Sequence, residues 1–204
     1  MPNRTHLKRL LGALGALALI PATTAAIVVT LDFEGLPDQY YADAGAQNLG
    51  LAYAGRPGGP VFGPDATLVG VGRGLNDFNY PPSSGATVLF SSFENAIRVD
   101  FTGSPAGAVS TYFRSGTDIF LFAFDAGDNL LGQDFSSPNL APDDPADTLD
   151  FDAGSFAIRY VIIEGAPNFF VLDDFTYTVI PEPGSYALLA GLGLLGLAAW
   201  RRWR

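Results

Sequence analysis

Asp32 and Glu34 stand two apart in an extended stretch, so both carboxylates fall on one face of a strand. Asp173 and Asp174 are adjacent in the last apolar stretch before the C-terminal tail and point to opposite faces. If the first and last strands lie side by side, three of these carboxylates converge with backbone carbonyls. That is the oxygen-rich ligand set a Ca²⁺ ion takes. Unpaired, such a cluster repels itself, which is a reason to expect a structural calcium ion there. The competing reading is a solvated acidic edge that deters strand pairing. A second set is aromatic. Tyr40, Tyr41 and Tyr80 lie with Tyr53, Phe62 and Phe78 in the stretch 35–85, which holds eleven glycines and six prolines. On loops, such rings offer flat faces for the C–H face of a pyranose. They serve equally well folded back as caps over a core.

What is missing narrows the chemistry further. The chain has no cysteine, so disulfides, thiolate zinc sites and cysteine nucleophiles are excluded. Its one histidine is His6 and its one lysine is Lys8. Beyond the N-terminal leader there is no imidazole and no side-chain amine, which removes Ser-His-Asp catalysis, Schiff bases and the phosphate-binding lysine of P-loops. Only carboxylates remain for acid–base work. Glycoside hydrolysis needs two of them roughly 5–10 Å apart in a cleft. The central region has three glutamates (Glu34, Glu94, Glu164) and no recognisable signature around any of them. The expectation is a protein that is not an enzyme, with a glycan-active enzyme using a carboxylate pair as the alternative. Between residues 27 and 179, five arginines face twenty carboxylates, a net charge of −15. A domain this acidic repels phosphate backbones, so nucleic acid is not expected as a partner.

The elements that must hold these groups are strands. Candidates run over 27–33, 49–54, 66–71, 86–90, 96–102, 108–113, 118–125, 129–135, 147–151, 156–164 and 169–179. They are short, rich in Val, Ile, Phe, Tyr and Thr, and divided by Gly, Pro, Asp and Ser. The segments 119–124 and 160–163 are apolar on both faces and should be central. Residues 97–101 alternate, as a half-exposed strand does. The turn chemistry of 125–129 and the acidic loop 141–147 need no ligand to explain them. About ten strands in roughly 150 residues predict an all-β fold, a two-sheet antiparallel β-sandwich of the jelly-roll type.

Both ends of the 204-residue chain read differently from the middle. Arg4, Lys8 and Arg9 precede the apolar run 10–20, Pro21 breaks it, and small residues follow to Ala26. This predicts a signal peptide over residues 1–26, removed by signal peptidase, and an exported β-sandwich over 27–179. Residues 180–204 begin with Pro181-Glu182-Pro183, continue through seventeen uncharged residues to Trp200, and end on Arg201-Arg202-Trp203-Arg204. As a helix the uncharged run would be about 25 Å long, enough to span a bilayer with help from snorkelling arginines. The arginines place the tail end in the cytoplasm. A plain single-pass membrane anchor would need no more than this.

The order of Pro181-Glu182-Pro183, apolar helix, and Arg201, Arg202 and Arg204 resembles the PEP-CTERM sorting signal. The resemblance implies recognition by an exosortase and removal of the tail. It also implies an inner-membrane-anchored precursor that becomes a cell-surface or extracellular-matrix protein of a Gram-negative bacterium making extracellular polysaccharide. Leu31–Leu36, Phe124–Gly132 and Val171–Tyr177 are similar to segments of galactose-binding-like jelly rolls, a group that includes carbohydrate-binding modules. That likeness implies a structural or adhesive role, with extracellular polysaccharide as a candidate ligand.

The processing reading is checked by intact mass in the native host. The mature protein is expected to lack residues 1 to about 26 and the chain beyond the Pro-Glu-Pro box. A mature form still ending at Arg204 would leave only the plain anchor.

Overall fold

The computed structural model describes residues 25–36, 49, 52–64, 66–70, 80–91, 94–140, 147–180 and 200. Among these residues, eleven strands form two antiparallel sheets. They are β1 (Ile27–Leu31), β2 (Pro60–Phe62), β3 (Ala66–Gly70), β4 (Thr87–Ser91), β5 (Ala96–Phe101), β6 (Ala106–Ser115), β7 (Ile119–Phe124), β8 (Leu130–Ser136), β9 (Asp147–Asp152), β10 (Tyr160–Glu164) and β11 (Phe170–Val179). The first sheet has the order β3-β4-β11-β6-β9, with β1 also on β11. The second sheet has the order β2-β5-β10-β7-β8. The fold is therefore the all-β, two-sheet architecture that the strand pattern predicts. The leader through residue 24 and the apolar tail stretch, Trp200 apart, lie outside the described residues. Among those described, no helix is long and apolar enough to cross a membrane.

β11 organises the first sheet. Its first half pairs β4 through Val171 and Leu172, and its second half pairs β1 from Phe175 to Val179. β6 runs along its other side. The first and last strands are thus neighbours, as the carboxylate argument requires. Between Asp173 and Thr176 the register on β6 shifts, and Asp174 has a φ of 47°. This bulge changes which residues face inward. Phe170 and Leu172 lie in the core before it; Phe175, Tyr177 and Val179 lie there after it. A strict two-residue alternation would have put Asp174 inside instead.

Between the sheets, aromatic rings meet edge to face. Phe33 packs on Phe62 with centroids 5.8 Å apart, and Phe62 on Phe175 at the same distance. Phe101 and Tyr177 follow at 5.1 Å. These rings come from both sheets, and each such pair adds about 0.5–1.5 kcal/mol beyond the area it buries. The Tyr177 hydroxyl donates to the Pro57 carbonyl at 2.7 Å, tying the 52–59 turns across this end of the core.

Two local readings change. Residues 52–55 form turns rather than the strand expected over 49–54. The strand lies further on, at β2, where Pro60 is the first residue of an edge strand, a position that asks for no ladder N–H. Of the two segments read as central, β10 is the middle strand of its sheet. β7 is next to the edge, and its burial alternates: Ile119, Leu121 and Ala123 are buried, whereas Phe120, Phe122 and Phe124 are half-exposed. That strand has one core face and one outer face, not two buried ones.

Candidate functional site

The acidic residues singled out in the sequence do gather, but around a peptide segment. Residues 80–87 cross the outer face of the first sheet. Glu34 Oε1 accepts the N–H groups of Ala86 and Thr87, both at 2.7 Å. Asp173 Oδ2 accepts from Ser84 N at 2.9 Å, and Asp173 Oδ1 from Asp174 N at 2.7 Å. Asp174 Oδ1 accepts the Ser84 hydroxyl at 2.8 Å. Gly85, at a φ of +55°, lies so close to the Glu34 carboxylate that a Cβ there would collide with it. Asp32 is exposed and accepts Glu34 N at 3.2 Å. Among the described residues, no three His, Cys, Asp or Glu side chains stand close enough together to hold a metal ion. Oriented N–H donors offset the charge of these carboxylates, the role a cation was expected to play.

Asp173 is fully buried beneath this strap. Burial pushes its pKa up to about 6, against the opposing pull of the Ser84 and Asp174 N–H groups, and the neighbouring Asp174 charge pushes the same way. The Asp173 carbonyl, displaced by the bulge, accepts the buried Thr111 hydroxyl at 3.0 Å. The Tyr53 hydroxyl is buried near Asp32 without a hydrogen-bond partner among the described residues. Burial first, then the Asp32 charge, pushes it up to about 12, so it stays a neutral phenol.

Tyr80 cannot serve as a stacking platform. It is 5% exposed and packs with Val88, Phe90, Val171 and Leu140 in a small cluster outside the main core. The ring caps the outer face of the first sheet, the second of the two roles open to it. Tyr40 and Tyr41 lie outside the described residues, as do Pro181, Glu182, Pro183, Arg201, Arg202 and Arg204. A nearby residue the sequence reading missed is Asn139. Its side chain accepts Ser115 N and donates to the Phe113 carbonyl, continuing the pairing of β6 beyond β9.

Phe156 and Phe169 are exposed singly, outside the strands; a row of rings lies on the outer face of the second sheet. Phe120, Phe122 and Phe124 lie on the outer face of β7, opposite Phe135, Gln133 and Leu130 of β8. On the other side, their cross-strand partners are Glu164, Ile162 and Tyr160 of β10. Phe120 and Phe122 stack with centroids 6.0 Å apart and planes 11° apart, and Phe135 joins Phe120 at 5.0 Å. Phe124 stacks on Tyr160 at 4.7 Å and 12°. Arg98 of β5 lays its guanidinium 3.7 Å over the Tyr160 ring and chelates Asp100 through two hydrogen bonds of 2.7 and 2.8 Å. Phe135 and Leu130 are about half exposed. No described segment crosses this face as the strap crosses the other. The signal was present in the sequence: every second residue of 119–124 is aromatic, and the residues between are aliphatic or alanine.

A shallow groove of about 160 Å³ lies on the outer face of the first sheet, lined by Ser110, Asp150, Asp152, Thr176 and Thr178 among others. Its two carboxylates are both exposed.

Two measurements follow from the strap. The raised Asp173 pKa means the folded state holds this proton more tightly than the unfolded chain, whose aspartates titrate near 3.9. The contribution is therefore fully present below about pH 4 and lost as pH rises through about 6, on the order of 3 kcal/mol in all. Asp173→Asn removes the titration and turns one N–H acceptor into a donor. Urea unfolding at pH 4 and pH 7.5 is expected to show the variant less stable than wild type at the lower pH, with the gap narrowing or reversing at the higher; parallel losses at both would refute the assignment. For calcium, donor-capped carboxylates are expected to leave the melting temperature unchanged by chelator. A rise of several degrees on adding Ca²⁺ but not Mg²⁺ would restore the calcium site at Asp32, Glu34, Asp173 and Asp174.

No curated protein matches the chain. Among solved structures, the K2 cleaved adhesin domain of Lys-gingipain is similar at 16% identity, covering 75% of this chain and 100% of that one, with a TM-score of 0.46. A family 29 carbohydrate-binding module is similar at 14% identity, covering 76% of this chain and 89% of that one, with a TM-score of 0.40. At the C-terminus the match is one of sequence: residues 179–202 fit the PEP-CTERM protein-sorting motif, the mark of an exported, exosortase-processed protein.

Proposed function

We propose that this exported protein is a non-catalytic adhesive module of the cell surface or extracellular matrix, and that it binds polysaccharide on the outer face of its second sheet. The observation that carries this reading is the row of rings on the outer face of β7 and β8, with Phe135 about half exposed and Phe120, Phe122 and Phe124 partly buried, continued by the buried Tyr160 and by Arg98. Burying apolar rings is the main return of folding, so a row of rings that keeps part of its surface on an outer sheet face supports a contact role. The rings alternate with groups that hydrogen-bond: Gln133 opposite Phe122, and Glu164 opposite Phe120. A sugar chain has the same mixed character, with C–H faces for rings and hydroxyls for polar neighbours. Catalysis has no comparable support, because the carboxylates lining the groove are exposed and no described element encloses them.

Affinity electrophoresis of the 27–180 region, or of the full mature chain, through gels containing neutral polysaccharide tests this. Wild type is expected to be retarded. Phe122→Ala and Phe135→Ala should each lose most of the retardation while costing about 1–2 kcal/mol of stability, since the rings are only partly buried. Phe175→Ala, in the core, is the control and should cost about 3–5 kcal/mol. If wild type runs unretarded and sediments as a dimer that Phe122→Ala dissociates, the face is a self-association surface and the binding reading fails.

A further inference from the structure

The aromatic face carries charges as well as rings, and their arrangement names a ligand class; the argument rests on the binding reading above. Arg98 is the one cation on the strands of the second sheet that face this way. Its Nε and Nη2 groups donate to the two oxygens of Asp100, and its planar face lies on Tyr160, which stacks in turn on Phe124. A guanidinium recognises a carboxylate or sulfate through that same two-pronged edge. Here the edge is already occupied, from within the same strand. The other charged groups around the rings are anions. Glu164 pairs across from Phe120 and accepts Asn95 Nδ2 at 3.2 Å, and Asp128 sits in the turn between β7 and β8.

We propose that this face selects uncharged polysaccharide and turns away acidic polysaccharide, with Asp100 as the specificity-determining residue that keeps Arg98 neutralised and laid flat as part of the platform. Among the described residues of this face, an anionic chain would meet Glu164, Asp128 and Asp100 and no cation besides the paired Arg98. A neutral chain loses nothing by this, because it needs ring faces and hydrogen-bonding groups rather than counter-charge. The Arg98–Asp100 pair is itself partly exposed and can offer its remaining donors to hydroxyls.

The probes are galactomannan and hydroxyethylcellulose as neutral chains and alginate as an acidic one, each cast in a gel with the mature protein run through it at low and at physiological salt. Wild type is expected to be retarded at least severalfold more by one of the neutral chains than by alginate, with little effect of salt. Asp100→Asn frees the guanidinium and should gain retardation on alginate that salt abolishes. Arg98→Gln/Asp100→Asn should lose that gain, and Arg98→Gln alone should still bind the neutral chain within a few-fold. Thermal melts of the three variants identify any that fails to fold; a misfolded Asp100→Asn is replaced by Asp100→Ser, which removes the same charge. Salt-sensitive retardation of wild type by alginate, lost in Phe122→Ala, would overturn the selectivity and leave the aromatic site standing. No gain on alginate in a folded Asp100 variant would overturn the role of Asp100. No retardation of wild type by any of the three chains would overturn both the selectivity and the site.

Discussion

The bulge at Asp173-Asp174 is the constraint on which the rest of the first sheet depends. β11 pairs with β4, β1 and β6 in a single run of ten residues. A shift of one residue in such a strand exchanges its buried and exposed sets. Without the bulge, Phe175, Tyr177 and Val179 would face solvent, and the edge-to-face contact of Phe175 with Phe62 and the tilted contact of Tyr177 with Phe101 would be lost. The bulge needs an αL residue, and Asp174 supplies it, aspartate being among the few non-glycine residues that visit that region readily. It also needs partners for the groups it displaces. Thr111 takes the Asp173 carbonyl, and Ser84 takes both side chains. The cost is a carboxylate buried where its charge is disfavoured, which is why the pKa of Asp173 is raised although it accepts two N–H groups.

That arrangement explains what the sequence made legible and what it concealed. The pairing of the first and last strands, and the convergence of Glu34, Asp173 and Asp174, follow from strand order and acidic residues at the strand ends. What occupies the convergence does not. The strap reaches the site from the Gly/Pro-rich stretch, whose path is set by Gly85 and the Tyr80 contact rather than by any periodic pattern. β2 was hidden for a related reason: Pro60 reads as a breaker, and only an edge position makes it compatible with a strand. Asn139 has no local signature at all, because its partners Phe113 and Ser115 are more than twenty residues away.

The aromatic face was obscured by a different ambiguity. A run apolar at every position is compatible with a strand buried on both sides or with one whose outer face binds something. β7 and β10 resolve it differently. Both have a strand on either side, but on β10 the outward Tyr160 is covered by Arg98 and buried. β7 lies beside an edge strand whose own outward residues, Leu130, Gln133 and Phe135, are exposed, and the cover that Phe135 gives Phe120 leaves both Phe120 and Phe122 partly exposed. Along 119–124 the rings fall on the outer face and the aliphatics and alanine on the core face.

The two sheets therefore use the same resource in opposite ways. The first covers its outer apolar residues, Val88, Phe90 and Val171, with Tyr80 and Leu140. The second leaves its rings open and places carboxylates around them. Exposed rings ordinarily invite association between copies, and a central region with a net charge of −15 opposes it by repulsion between copies. The charge that keeps such a face soluble also restricts what it can hold. Every anion that discourages self-association discourages an anionic ligand as well, and among the described residues of this face the one guanidinium that would favour one is bound to Asp100. On the proposed reading, resistance to self-association and preference for an uncharged ligand have one electrostatic origin.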